Sequence, residues 1–126
     1  MSEHEIQNAI IWTFGTRSDV RVWRSNCGKA TFGGRKVQFG VPGQADLTGI
    51  LPDGRRLEID VKSPTGRQTQ EQADYGLLIE RFNGVYILAR SVDDVWGGLA
   101  KHGYHQRGNG QIVHRSQPPV EVDYHG

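Results

Sequence analysis

The chain has 126 residues, 23% of them charged, with a formal net charge of +1. That length suits one domain with a modest core. The near-balanced charge excludes a uniformly basic nucleic-acid binder, so contact with an anionic polymer would need locally clustered Arg and Lys. The single cysteine, Cys27, excludes an internal disulfide and fits a reducing cytosol. No apolar run approaches membrane length, and Met1-Ser2-Glu3 is not expected to open a signal peptide, so a cytoplasmic protein without membrane contact is expected.

Residues 3–14 predict a helix. Ile6, Ile10 and Phe14 form one stripe with Ala9 beside it, and Ser2 stands where an N-cap belongs. Residues 19–25 alternate like a strand, with Val20, Val22 and Arg24 on one face and Arg21 and Trp23 on the other. A glycine-rich stretch to Gly40 follows, carrying Lys29, Arg35 and Lys36. Basic side chains and exposed backbone N–H groups suit phosphate contacts; the plainer alternative is an ordinary hairpin. No Gly-Lys-Ser/Thr occurs at the spacing a phosphate-binding P-loop requires.

Residues 45–51 and 55–62 read as two strands joined at Pro52-Asp53-Gly54, a hairpin turn. Alternate side chains of a strand share a face. Asp60 and Lys62 therefore lie together, with Glu58, while Leu57, Ile59 and Val61 face the other way. Asp46, on the partner strand, reaches the polar face if the register brings it opposite Asp60. Two such carboxylates repel unless a cation or a proton lies between them. Oxygen ligands suit Mg²⁺ or Mn²⁺, which keep several waters for a phosphate substrate. A lysine alongside can orient water or neutralise charge developing on phosphate. Alone, Asp-x-Lys on a strand is most often a solvated surface pair.

Thr69 followed by Gln72 is a capping-box pattern that starts a helix, with Ala73, Leu77 and Phe82 expected to face the sheet. Arg67, just upstream, is a candidate phosphate contact. Val85-Tyr86-Ile87-Leu88-Ala89 predicts a buried strand reached by a helical crossover. Ser91 and Asp94 form a second capping-box pattern opening a helix to about Lys101, with Trp96 and Leu99 packed on the sheet. Residues 1–103 make the expected domain, and 104–126 read as a C-terminal tail, either loose or packed on the same domain. Its His105 and His114, with His102, lack zinc-ligand spacing.

Taken together, Gly43 to Asp46, Asp60-Val61-Lys62, Gly66-Arg67 and Gln72-Ala73-Asp74-Tyr75 resemble a PD-(D/E)xK nuclease, and within that group a virus-type replication-repair nuclease (VRR-NUC) domain. Arg24-Ser25-Asn26 and Gly40-Val41-Pro42-Gly43 resemble its phage members. The resemblance covers roughly residues 3–97. Ala45 replaces the proline of the motif, and Asp60 replaces the more usual Glu. The shorter Asp needs a metal closer to the strand, or Glu58 to take over; the spacing to Lys62 favours Asp60.

The resemblance implies an α/β fold with a restriction-endonuclease-like αβββαβ core, a mixed sheet flanked by helices. It implies Asp46, Asp60 and the Val61 carbonyl as ligands of Mg²⁺ or Mn²⁺, Lys62 as organiser of the attacking water, and Glu3 and Gln72 completing the site, with Glu5 as substitute for Glu3. Arg24, Lys29, Arg35, Lys36 and Arg67 are the expected DNA contacts. Metal-dependent cleavage of branched DNA by a homodimer is the implied function. The alternatives are a non-catalytic DNA-binding or assembly module and an enzyme acting on another phosphoester.

Overall fold

The structure, a computed structural model, describes residues 1–25 and 28–116, with no side-chain description at 28–32 and 37–39. Cys27, the Lys29 side chain and the last ten residues of the expected tail lie outside the described part.

Helix α1 spans Glu3–Phe14 and buries Ile6, Ile10 and Phe14, as the stripe predicts. Ser2 caps it reciprocally with Glu5, satisfying N–H groups that an open helix end leaves unpaired. Strands β1 (Arg21–Arg24), β4 (Leu47–Ile50), β5 (Arg56–Val61) and β6 (Val85–Ala89) form one sheet in the order β1-β4-β5-β6. The first two pairings are antiparallel and β5–β6 is parallel, so the sheet is mixed. Helix α2 (Gln70–Arg81) makes the crossover between the parallel strands, and α3 (Val92–Lys101) follows β6.

The glycine-rich stretch is a two-stranded hairpin, β2 (Gly28–Phe32) and β3 (Arg35–Phe39). Gly33 and Gly34 turn it with φ of 55° and 79°, backbone angles that a two-residue hairpin turn requires and that glycine adopts at little cost.

The sheet separates two packing layers. Leu57, Ile59 and Val61 of β5 join Val85, Ile87 and Ala89 of β6 in a core with Ile6, Ile10 and Phe14 of α1 and Val95 and Leu99 of α3. On the opposite face, α2 buries Tyr75 and Ile79 with Ala45 against Tyr86.

Two expectations are corrected. Leu77 and Phe82 do not face the sheet; they are 66% and 76% exposed. The inward stripe of α2 is Tyr75, Gly76 and Ile79. Glycine is needed there because a Cβ at position 76 would stand 2.7 Å from the Tyr86 ring. At α3, Ser91 accepts from the Asp94 N–H, but the Asp94 carboxylate accepts from the Arg90 N–H instead of completing the box. Trp96 packs against the main core, as expected, with its ring centroid 4.8 Å from that of Phe14 of α1.

Residues 104–116 are not a loose tail. Tyr104–Gln106 (β7) and Ile112–His114 (β8) pair antiparallel, and Tyr104 and Ile112 join the main core. Arg17 and Asp19 fasten this hairpin: Arg17 donates to the Gly110 carbonyl at 2.6 Å, and Asp19 Oδ2 accepts from the Ile112 N–H at 2.7 Å. No helix among the described residues is long and apolar enough to cross a membrane.

If β7–β8 is part of the core, Ile112→Ala should cost about 2–5 kcal/mol, the range for truncating a buried Ile. Urea unfolding of the full chain checks this. A loss within about 0.5 kcal/mol, as for a surface substitution, would return the segment to a dispensable tail.

Candidate active site

The β4–β5 register pairs Leu47 with Ile59. One step further along, Asp46 stands opposite Asp60. Ser25 extends the row on the other side, its N–H donating to the Asp46 carbonyl at 2.9 Å. Asp46 Oδ2 accepts the Val61 N–H at 2.7 Å, so a backbone dipole holds that carboxylate across the strands.

Asp60 is fully buried. Its Oδ2 accepts a long hydrogen bond from the Tyr86 hydroxyl at 3.4 Å, and Tyr86 in turn accepts from Gln68 Nε2 at 2.9 Å. Because Gln68 donates to that oxygen, the tyrosine proton is left for Asp60. Asp60 Oδ1 has no hydrogen-bond partner among the described residues. Burial, then the adjacent Asp46 carboxylate with its negative charge, pushes the Asp60 carboxyl from 3.8 up to about 7, against the opposing pull of Lys62 and Tyr86. Two adjacent acids in a poorly hydrated position cannot both ionise cheaply.

Those properties are a fit test for a hard cation. A buried, unpartnered carboxylate oxygen beside a second carboxylate is costly alone and becomes favourable with a positive ion to coordinate. Among the described residues no group of three or more His, Cys, Asp or Glu forms a candidate cluster. Two carboxylates suffice for Mg²⁺, which retains water in its remaining positions. Asp46 and Asp60 fit that demand.

Lys62, half-buried, follows Asp60 at the end of β5, and its ammonium makes no hydrogen bond or ion pair among the described residues. The loop beyond it is fixed from β6: Arg90 Nη1 donates to the carbonyls of Ser63 and Gly66 at 2.5 and 2.7 Å. Glu3 faces this loop, since a Cβ on Gly66 would stand 3.4 Å from Glu3 Oε1. It borders the site without joining the Asp46–Asp60 pair in a three-acid cluster. Glu5 is committed to the Ser2 cap, accepting from its hydroxyl at 3.1 Å. Glu58 is also fully buried, but Oε1 accepts from Tyr75 and from Arg56 Nε at 3.0 Å. Its Oε2 is buried and unpartnered as Asp60 Oδ1 is, but Oε1 already holds a cation, and so it is a poorer stand-in for Asp60.

Gln72 uses its side-chain oxygen to accept the Thr69 N–H at 2.8 Å, leaving its amide NH₂ to act elsewhere. Gly43 packs directly on this turn. Its φ is 76°, and a Cβ would collide with the Glu71 carbonyl. The same glycine thus docks the Asp46 segment on α2.

Of the expected DNA contacts, Arg24 is tied to α1 through Gln7 Oε1 at 2.8 Å and Asn8 Oδ1. Arg35 and Lys36 are exposed at the start of β3, and Arg67 is exposed beside Gly66. Sequence reasoning missed Tyr86, Gln68 and Arg90. Tyr86 sits inside an apolar run, and only the parallel β5–β6 register reveals that it shares a face with Asp60.

The raised Asp60 pKa has a stability consequence. The folded state holds this proton more tightly than the unfolded chain, so the associated stability is complete below about pH 4 and disappears as pH rises through about 7. In EDTA, Asp60→Asn should stabilise the protein at pH 8 by on the order of 2–4 kcal/mol and have little effect at pH 4. Urea unfolding at the two pH values reads the difference. An equal effect at both would mean that Asp60 holds no such proton.

Neither a protein-family model, nor a curated protein, nor a solved structure matches this chain, and the site stands on its own geometry.

Proposed function

We propose that this protein is a metal-dependent nuclease that hydrolyses DNA phosphodiesters with Asp46, Asp60 and Lys62. The observation that carries this reading is the Asp46–Asp60 pair, with one Asp60 oxygen buried and unpartnered. The order α1, β1, β4, β5, α2, β6 around the main sheet supports a restriction-endonuclease-like core of the VRR-NUC type. Cytoplasmic action on branched DNA by a homodimer is part of the same proposal.

Asp46 and Asp60 would hold Mg²⁺ or Mn²⁺, with the Val61 carbonyl as the third protein ligand. A bound cation would supply Lewis-acid charge at the scissile phosphate. Lys62 presents its ammonium beside the pair, where it can orient a water and offset negative charge gathering on the phosphate oxygens. Water oxygen bonds to phosphorus as the phosphorus–oxygen bond to the leaving strand breaks. Arg90 keeps the 63–66 loop in place behind Lys62, Glu3 flanks that loop, and the Gln72 NH₂ can donate to a water or a phosphate oxygen. Arg67, Arg35 and Lys36, with Lys29 and Arg24, supply positive charge for the DNA backbone.

Asp46→Asn should abolish cleavage of supercoiled and branched DNA in Mn²⁺, as EDTA does for the wild type, yet leave DNA binding intact. Asn keeps the size but loses the charge that attracts the cation. Cleavage persisting in the purified, folded variant would reject the nuclease assignment, and a wild type inactive with either metal would favour a binding module.

A second measurement concerns the hairpin. Neutralising Lys29, Arg35 and Lys36 together should weaken binding and flatten its salt dependence, by about 0.9 in the slope of log K against log salt for each lost phosphate contact. An unchanged slope would separate the hairpin from DNA.

A further inference from the structure

Among the described residues, the carboxylate face of the sheet is only half covered. Helix α2 packs on β5 and β6, and the same face of β1 and β4 lies beyond it. Register assigns the residues of that face. Trp23 pairs with Thr48, Thr48 with Glu58, and Glu58 with Tyr86, making one row across the four strands. Ser25, Asp46 and Asp60 make the next row on the same face. Arg21, Ile50 and Arg56 make the row on the other side.

Trp23 is 52% exposed and belongs to neither hydrophobic cluster. Its ring lies on the open half, two residues along β1 from Ser25, about 7 Å from the catalytic row at the rise of a strand. Arg21, exposed, spends only its Nε on the Arg17 carbonyl at 3.0 Å and makes no ion pair among the described residues. Arg56 grips Glu58 from one side while its side chain stays 58% exposed. An exposed indole next to arginines, continuous with a pair of metal-suited carboxylates, has the chemistry of a single-strand site: a flat π surface for a base and cations for its phosphates.

We propose that the open half of this face binds an unpaired DNA strand, with a base stacked on Trp23 and its backbone directed by Arg21 towards Asp46 and Asp60. The inference rests on the nuclease reading and adds the feature recognised: an unstacked base, available at a flap, a branch or a single-stranded end and absent from an intact duplex. A stacked base would be read through its π face, without sequence preference.

The test uses full-length protein in EDTA, which separates binding from cleavage. Dissociation constants are measured for labelled oligo(dT) and for a blunt duplex of equal length. W23A should bind oligo(dT) on the order of tenfold more weakly, the scale of one lost base–aromatic stack, and bind the duplex as wild type does. W23F should retain oligo(dT) binding, whereas W23L, apolar without a π face, should lose it. The Phe–Leu comparison decides the matter if W23A fails to fold. Unchanged oligo(dT) affinity in W23A and W23L, or an equal loss on duplex, overturns the proposal while leaving the nuclease assignment standing. A variant that binds DNA normally but elutes as a smaller species gives the face to a second copy of the chain, and also overturns it. A wild type that binds neither DNA overturns both readings together.

Discussion

The antiparallel register of β4 and β5 sets two carboxylates against each other where water is scarce. A protein would ordinarily avoid this. Much of the surrounding structure makes the pairing bearable without removing it. The Val61 N–H supports Asp46, Tyr86 supports one oxygen of Asp60, and Lys62 lends a nearby positive charge. None of them reaches Asp60 Oδ1. The residual cost is local, while the hydrophobic layer of Leu57, Ile59 and Val61 on the reverse of β5 anchors the strand that bears it.

Glu58, two residues away, shows how a buried acid is handled when the fold neutralises it. Arg56 and Tyr75 converge on one of its oxygens. Both acids lie on one strand face beneath α2 and each keeps one unpartnered oxygen, yet one has a guanidinium beside it and the other a second carboxylate. Helix α2 serves both: Tyr75 reaches Glu58, and the glycine one residue later admits the Tyr86 ring that reaches Asp60. Moving the helix would disturb the two acids at once, which ties the packing of this layer to the state of the site.

Strands β4 and β5, the caps of α1 and α2 and the crossover to β6 were legible because each rests on local chemistry or on a period of two or 3.6. The pairing of Asp46 with Asp60 was legible for the same reason, since Pro52-Asp53-Gly54 fixes the turn and hence the register. What failed lay in choices between faces and in distant contacts. Ala73 and Leu77 form as good a stripe by spacing as Tyr75 and Ile79, but the sheet presents Glu58 and Tyr86, which call for a hydroxyl and a gap. Tyr104 and Ile112 look isolated among polar residues. They are buried through Arg17 and Asp19, more than ninety positions from the groups they bind. Gln68 and Arg90 act on groups that only folding brings near.

The half-covered sheet gives these details a common direction. Had α2 lain centrally, it would have closed over Asp46 as it does over Asp60, and sealed the pair. Its crossover joins β5 to β6, so it is bound to cover those two strands, and β1 and β4 remain open beside the acids. The hairpin β2–β3 is inserted in the chain between those two open strands, and presents Arg35 and Lys36 just after its turn. The covered side supplies Gln68, Tyr75 and Tyr86 to position the acids. A chain of near-zero net charge thus presents less negative charge to solvent than its composition counts, since Glu58 and Asp60 are buried.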